Sequence, residues 1–280
     1  MPYIIKHITA FFDLSKEGMM ILDHAAKLAQ RFGAHLVGVF ATISPDRNYH
    51  DGFARGSDAI SNVAKCHLET LQTLREEAKG ALDQLSIEYD IGVEFRAIDT
   101  SQSSEVLSLQ TLYCDVVVAG VPQPPGLPPE KSLESLLLRT GAPALVIPKT
   151  WEKDTVATRV IIAWNASRVA RRAISDAMPI LATAQAVRVL IVDAEKYPHG
   201  EDPGADLAVY LTRHGVTVDV LKVASDGKAV ADVLIEQARL FDADLMVIGA
   251  YSRSRLIESV LGGVTKSLVS EVPLPLFVAH

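Results

Sequence analysis

Two cysteines in 280 residues are too few for a disulfide framework, and Cys66 and Cys114 lie far apart with no metal-ligand spacing around them. They are expected to stay reduced. Cys66 stands beside His67, a pairing a thiol nucleophile can use, but neither falls at the end of an expected strand, so no nucleophile is assigned there. No apolar run approaches the roughly 20 residues that span a bilayer. The opening segment, MPYIIKHITAFFDLS, has no cleavable signal pattern. The expectation is a cytoplasmic protein without a membrane partner. Basic charge is short as well: 27 Lys and Arg stand against 34 Asp and Glu, a net charge of −7 and the wrong sign for a nucleic-acid partner.

What the chain does have is internal repetition. With 49% hydrophobic residues it can bury two cores of ordinary size, at about 140 residues each. Laying residues 8–40 over 160–192 gives a constant offset of 152, which places Asp13 on Asn165 and Ser15 on Ser167. ITAFFDLSKEG then parallels VIIAWNASRVA, and HLVGVF parallels VRVLIV. Further on, CDVVVAG parallels ADLMVIG, and GAPALVIP parallels EVPLPLFVA. Each half reads as five strands alternating with four helices. Val160 to Trp164 and Leu245 to Ile248 are apolar throughout, and Val187 to Val192 is apolar apart from Arg188, as expected of parallel strands covered on both faces. Leu68, Leu71, Leu74, Ala78, Leu82 and Leu85 recur at three and four residues, the stripe of a helix burying one side. The fold class is therefore α/β, two tandem doubly wound parallel-sheet domains of five strands each. The expected domains are 1–149 and 156–280, separated by the polar stretch KTWEKDTVAT. The first half carries an insertion: 52 positions separate Phe40 from Gly92, whereas 23 separate Val192 from Gly215. Its segment Ser44 to Asn62, rich in Gly, Asp and Ser, reads as an excursion over the surface.

The last strand-to-helix passage, VIGAYSRSRLIESVLGGVTKSLV, can hold phosphate. Gly249 would release the backbone from a buried strand, Gly262 and Gly263 would let the main chain come close, and the amides of Val264, Thr265 and Lys266 would face an anion from a helix N-terminus. Lys266, Arg253 and Arg255 would add positive charge. The same glycines admit a plainer role, turning the chain and packing a helix against the sheet.

These residues resemble the universal stress protein family in its tandem two-domain form, whose fold is the adenine-nucleotide alpha hydrolase type. Nucleotide-binding members of that family carry GxxGx9G and then Ser or Thr after the fourth strand, with an Asp after the first strand that contacts adenine. Here the run is Gly249, Ser252 in place of a glycine, nine residues, Gly262, and Gly263 in the Ser/Thr position. Asn165 stands in place of the Asp, and Val192 matches the residue whose backbone meets the adenine edge. The resemblance implies that Ala163, Asn165, Val192, Gly249, Ser252, Arg253, Gly262, Gly263, Val264 and Thr265 bind the nucleotide, ATP with or without Mg, or AMP. In the first half Asp13 is present, but Pro122, Pro124, Pro125, Pro128 and Pro129 remove five amide donors, and Ser132 and Leu133 replace the glycine pair. That half is expected to hold no nucleotide and to serve as a structural partner or docking surface.

No Ser/His/Asp set, metal-ligand cluster or carboxylate pair accompanies the proposed site, so no catalytic or metal-binding residue is assigned. His199 and His214 lie in polar sequence and read as surface residues. An ATP-splitting transferase would need more than Glu258, the one acid near the loop. The leading expectation is a stress-response protein that senses an adenine nucleotide with slow or no hydrolysis. The alternative is a nucleotide-free interaction or dimerisation protein of the same fold, favoured by Asn165, Ser252 and Gly263. The short apolar last strands, LVIP and LPLFVA, are suited to pair edge to edge. With the resemblance they imply an intramolecular pseudo-dimer that can form a homodimer. The stress concerned and any protein partner are not legible.

Overall fold

The computed structural model describes residues 4–42, 57–99, 108–121, 140–196, 201–250 and 273–280. In chain order the elements are β1 (His7–Phe12), α1 (Lys16–Phe32), β2 (His35–Thr42), α2 (Ser57–Tyr89), β3 (Val93–Asp99), β4 (Val116–Val121) and β5 (Ala144–Pro148). They continue as β6 (Arg159–Ala163), α3 (Arg168–Ala182), β7 (Ala186–Val192), α4 (Ala205–Arg213), β8 (Val218–Val223), α5 (Val230–Leu240), β9 (Leu245–Gly249) and β10 (Leu276–Ala279). Each sequence repeat thus supplies five strands. The segment Ser252–Thr265, with the expected phosphate loop, and the proline-rich stretch after Val121 lie outside the described residues.

The described residues form two compact units. One runs from Lys6 to Val118; the other holds Thr140 to His280 together with Ile4, Ile5 and Ala119 to Val121. In the first unit the strands lie in the order β3-β2-β1-β4, all parallel. In the second the order is β5-β10-β9-β6-β7-β8. Every pairing from β10 to β8 is parallel, while β5 runs antiparallel to β10 with Leu145 opposite Phe277. The expected edge pairing of the two apolar terminal strands is therefore present within one chain. Burial explains the uninterrupted apolar runs: all six residues of β4 and all five of β5 are buried. Polar side chains are affordable on β8, the edge strand, where Asp219 and Lys222 are exposed.

Two aspartates repeat one device. The Asp244 carboxylate, 4% exposed, accepts from the Thr158 amide at 2.8 and 2.9 Å and from the Arg159 amide at 2.7 Å, tying the start of β6 to the start of β9. Asp115 does the same for β1, accepting from the amides of Lys6 at 2.7 Å and His7 at 2.9 Å. In each case the backbone returns a bond, from Asp244 N–H to Arg159 O and from Asp115 N–H to His7 O.

The inserted segment is not wholly a surface excursion. Ser57 to Asn62 belong to α2, a helix of 33 residues, and residues 44–56 lie outside the described ones. Residues 57–62 contain no proline, so extending an already nucleated helix through them adds one hydrogen bond per residue at little cost. The leucine stripe of α2 is buried only in its second half. Ala78, Leu82 and Leu85 are buried, Leu71 and Leu74 are half-buried, and Leu68 is 66% exposed.

Asp244→Ala is expected to lower unfolding stability by about 2–3 kcal/mol, since three backbone-to-carboxylate bonds vanish and two amides lose their partner. Urea denaturation of the full chain checks this, and a loss below about 0.5 kcal/mol would mean that the carboxylate does not hold the strand.

Candidate functional site

In the second unit β6, β7 and β8 follow one another across the sheet, and β9 then returns to the other flank of β6. The winding reverses between β6 and β9, and in a sheet of this kind the ligand crevice lies at the carboxyl ends of the strands at that point. The register puts four expected site residues there. Ala163 ends β6 opposite Leu190, Val192 ends β7, and Gly249 ends β9; Asn165 follows β6 two residues later. Ser252, Arg253, Gly262, Gly263, Val264 and Thr265 lie outside the described residues.

Asn165 begins the turn into α3. Its Oδ1 accepts from the Ser167 amide at 3.2 Å, and the Ser167 hydroxyl oxygen accepts from the Ala170 amide at 3.2 Å, capping the helix. Between them Ala166 sits at a φ of 53°, which an alanine adopts at a cost of about 1 kcal/mol. The first repeat builds the same turn more tightly. Asp13 Oδ1 accepts from the Ser15 amide at 3.0 Å and also from the Ser15 hydroxyl, and Ser15 caps α1 through the Gly18 amide at 3.0 Å. One acceptor lobe of Asn165 is thus already committed to the local turn.

Gly249 has a packing reason of its own. A Cβ there would lie 2.4 Å from the Val169 carbonyl carbon and 2.4 Å from the Ala170 nitrogen, inside the first turn of α3. The absent side chain lets that turn close on the end of β9.

The backbone of β7 offers hydrogen-bonding groups. Successive residues of a strand present their N–H and C=O to opposite neighbours. Leu190 O accepts from the Trp164 amide on the β6 side at 2.9 Å, whereas the Asp193 amide donates to Val223 O on the β8 side at 2.9 Å. Val192, in phase with Leu190, therefore turns both groups toward β6. The Trp164 to Leu190 bond is the last rung of that ladder among the described residues. Val192 N–H and C=O consequently face the crevice.

Asp193 was not anticipated. The residue is 5% exposed and its φ is 50°. The carboxylate accepts from Lys196 Nζ at 2.6 Å, the Ser225 amide at 2.7 Å and the Ser225 hydroxyl at 2.7 Å. These bonds, that from Lys196 first, hold its pKa down at about 2. The available signal was a lone acid directly after the apolar run Val189 to Val192. Elsewhere, burial pushes the Cys114 thiol up to about 11, so it is protonated near neutral pH. Among the described residues no group of three or more His, Cys, Asp or Glu side chains could hold a metal ion.

Comparison with known proteins agrees with this architecture. The family model described as the universal stress protein family matches residues 157–280. A universal stress protein A homolog of Haemophilus ducreyi is 30% identical over 118 residues, covering 41% of this chain and 76% of that protein. The chain belongs to the universal stress protein family. Solved structures extend the fold of the family over nearly the whole length. A universal stress protein from Archaeoglobus fulgidus superimposes with a TM-score of 0.62 at 16% identity, covering 98% of this chain and 96% of that one. A functionally unknown protein from Pseudomonas aeruginosa PAO1 gives 0.57 at 18% identity, covering 98% and 92%. The fold is thus that of the adenine-nucleotide alpha hydrolase type.

Two outcomes test the local geometry. Gly249→Ala is expected to cost about 1–3 kcal/mol, because the new methyl meets backbone that cannot move alone; urea denaturation reads it. For Asp193, the folded pKa of about 2 lies below the unfolded aspartate value of about 3.9, so its contribution is present above pH ~4 and is lost as pH falls toward 2. Denaturation midpoints between pH 6 and 2.5 should fall in the wild type, and Asp193→Asn should remove that part of the slope.

Proposed function

We propose that the chain binds an adenine nucleotide, ATP with or without Mg or AMP, at the carboxyl ends of β6, β7 and β9, and acts as a ligand sensor with slow or no hydrolysis. The observation that carries this reading is the N–H and C=O of Val192, which have no partner among the described residues, at the winding reversal, with Asn165 level with it on β6's extension. An adjacent donor and acceptor suit the edge of adenine, and the remaining capacity of the Asn165 side chain suits its amino group. Ser252, Arg253, Gly262, Gly263, Val264 and Thr265 would hold the phosphates, as the sequence pattern from Gly249 indicates. We assign the nucleotide to the repeat 156–280 and docking to the repeat 1–149, in a cytoplasmic chain able to form homodimers.

A second reading, a nucleotide-free interaction protein, draws support from one feature: the Asn165 oxygen already serves the Ser167 amide. Calorimetric titration of the full chain with Mg-ATP and with AMP separates the two. The sensor reading expects saturable binding of about one nucleotide per chain. Asn165→Asp should then tighten it about fivefold by restoring charge to the acceptor. Gly262→Val should abolish it by filling the space that the phosphates need. No heat with either nucleotide, confirmed by equilibrium dialysis, would leave the interaction reading; unchanged affinity in Gly262→Val would mean that the cradle lies elsewhere.

A further inference from the structure

The two flanks of β7's last residues do different things. Toward β6, Val192 leaves its N–H and C=O to the crevice; toward β8, Asp193 locks the strand end in place. The lock is dense for a strand terminus. Its carboxylate takes both the amide and the hydroxyl of Ser225, while its own amide donates to Val223 O. Ser225 is itself 8% exposed, and the turn that follows it, with Asp226 at a φ of 49° and Gly227 at 82°, closes through Lys228 N–H to Ser225 O at 2.9 Å. Lys196 covers the carboxylate from the chain's onward path. The first repeat lacks this device. Ala41 occupies the equivalent place, and the neighbouring Thr42 donates to Ile98 O at 3.2 Å and accepts from Arg75 at 3.2 Å.

We propose that Asp193 is a positioning residue for ligand selection: by clamping the end of β7 to Ser225, it fixes the direction in which Val192 presents its donor and acceptor to the crevice. A fixed pair distinguishes ligands by the order of groups along their edge. Adenine offers an amino donor at position 6 and an acceptor at position 1; guanine reverses them, with an acceptor at 6 and a donor at 1. A strand end free to tilt would satisfy either order, so the clamp converts a generic backbone edge into a selective one. This inference rests on the adenine-nucleotide reading above and adds the residue that enforces it.

The test is calorimetric titration of the full chain with ATP and with GTP, for the wild type, Asp193→Asn and Ser225→Ala, at a temperature well below each melting point. The wild type should prefer ATP. Asp193→Asn should weaken ATP about tenfold and narrow the ATP-to-GTP ratio, and Ser225→Ala should shift both in the same direction by less. A purely structural role predicts loss of melting temperature with the ratio unmoved, and that result overturns the inference, as does unchanged ATP affinity in both variants. If Asp193→Asn does not fold, the ratio in Ser225→Ala decides. A wild type that binds neither nucleotide overturns the adenine-nucleotide reading itself, and this inference with it, an outcome distinct from variants that match a binding wild type.

Discussion

The second unit depends on one buried carboxylate at the amino end of its sheet. Parallel strands leave amides at their start without ladder partners, and in the interior an unpaired amide costs about 1–3 kcal/mol. Asp244 satisfies two of them and donates the reciprocal backbone bond to Arg159 O, which favours the observed register of β6 with β9. A slip by one residue would turn every buried side chain of β6 to the opposite face. It would also carry Gly249 away from the turn of α3 that only a glycine admits. What is decided at one end of the sheet thereby governs the geometry at the other, where the crevice lies.

At that other end, polar groups are spent in two ways. Some serve the fold: Asn165 and Ser167 start α3, and Asp193 with Ser225 joins β7 to β8. Others are left over by topology, because β6 and β9 separate where the winding reverses and the ladder beside Val192 stops. The first set anchors the strand and helix ends beside which the second set lies. Preorganisation of this kind comes from hydrogen bonds that never touch a ligand.

Much of this was legible in the residues. Uninterrupted apolar runs such as Leu245 to Ile248 announced parallel strands buried on both faces, and the repeat offset that matched Asp13 with Asn165 located equivalent turns that the structure shows to be built alike. The stripe on α2 was read correctly where the sheet lies beneath it and too far where it does not, because periodicity reports which side of a helix is apolar and not how far the supporting surface extends. Asp193, Asp115 and Asp244 escaped notice for a related reason. A single acid beside a strand reads as a solvated boundary; its burial depends on amides from distant segments that local pattern cannot supply.

The antiparallel match of β5 with β10 joins the final strand of one repeat to the final strand of the other, although more than a hundred residues separate them. Two separate copies of a single repeat could make such a match only by meeting, and its occupancy would then follow their concentration. Carried on one chain, the pairing becomes a first-order event whose effective concentration is set by the connecting polypeptide. Dilution leaves it intact. A chain that carries both repeats can therefore let them differ, with Ser132 and Leu133 in one where Gly262 and Gly263 stand in the other, without risking the assembly of two like halves.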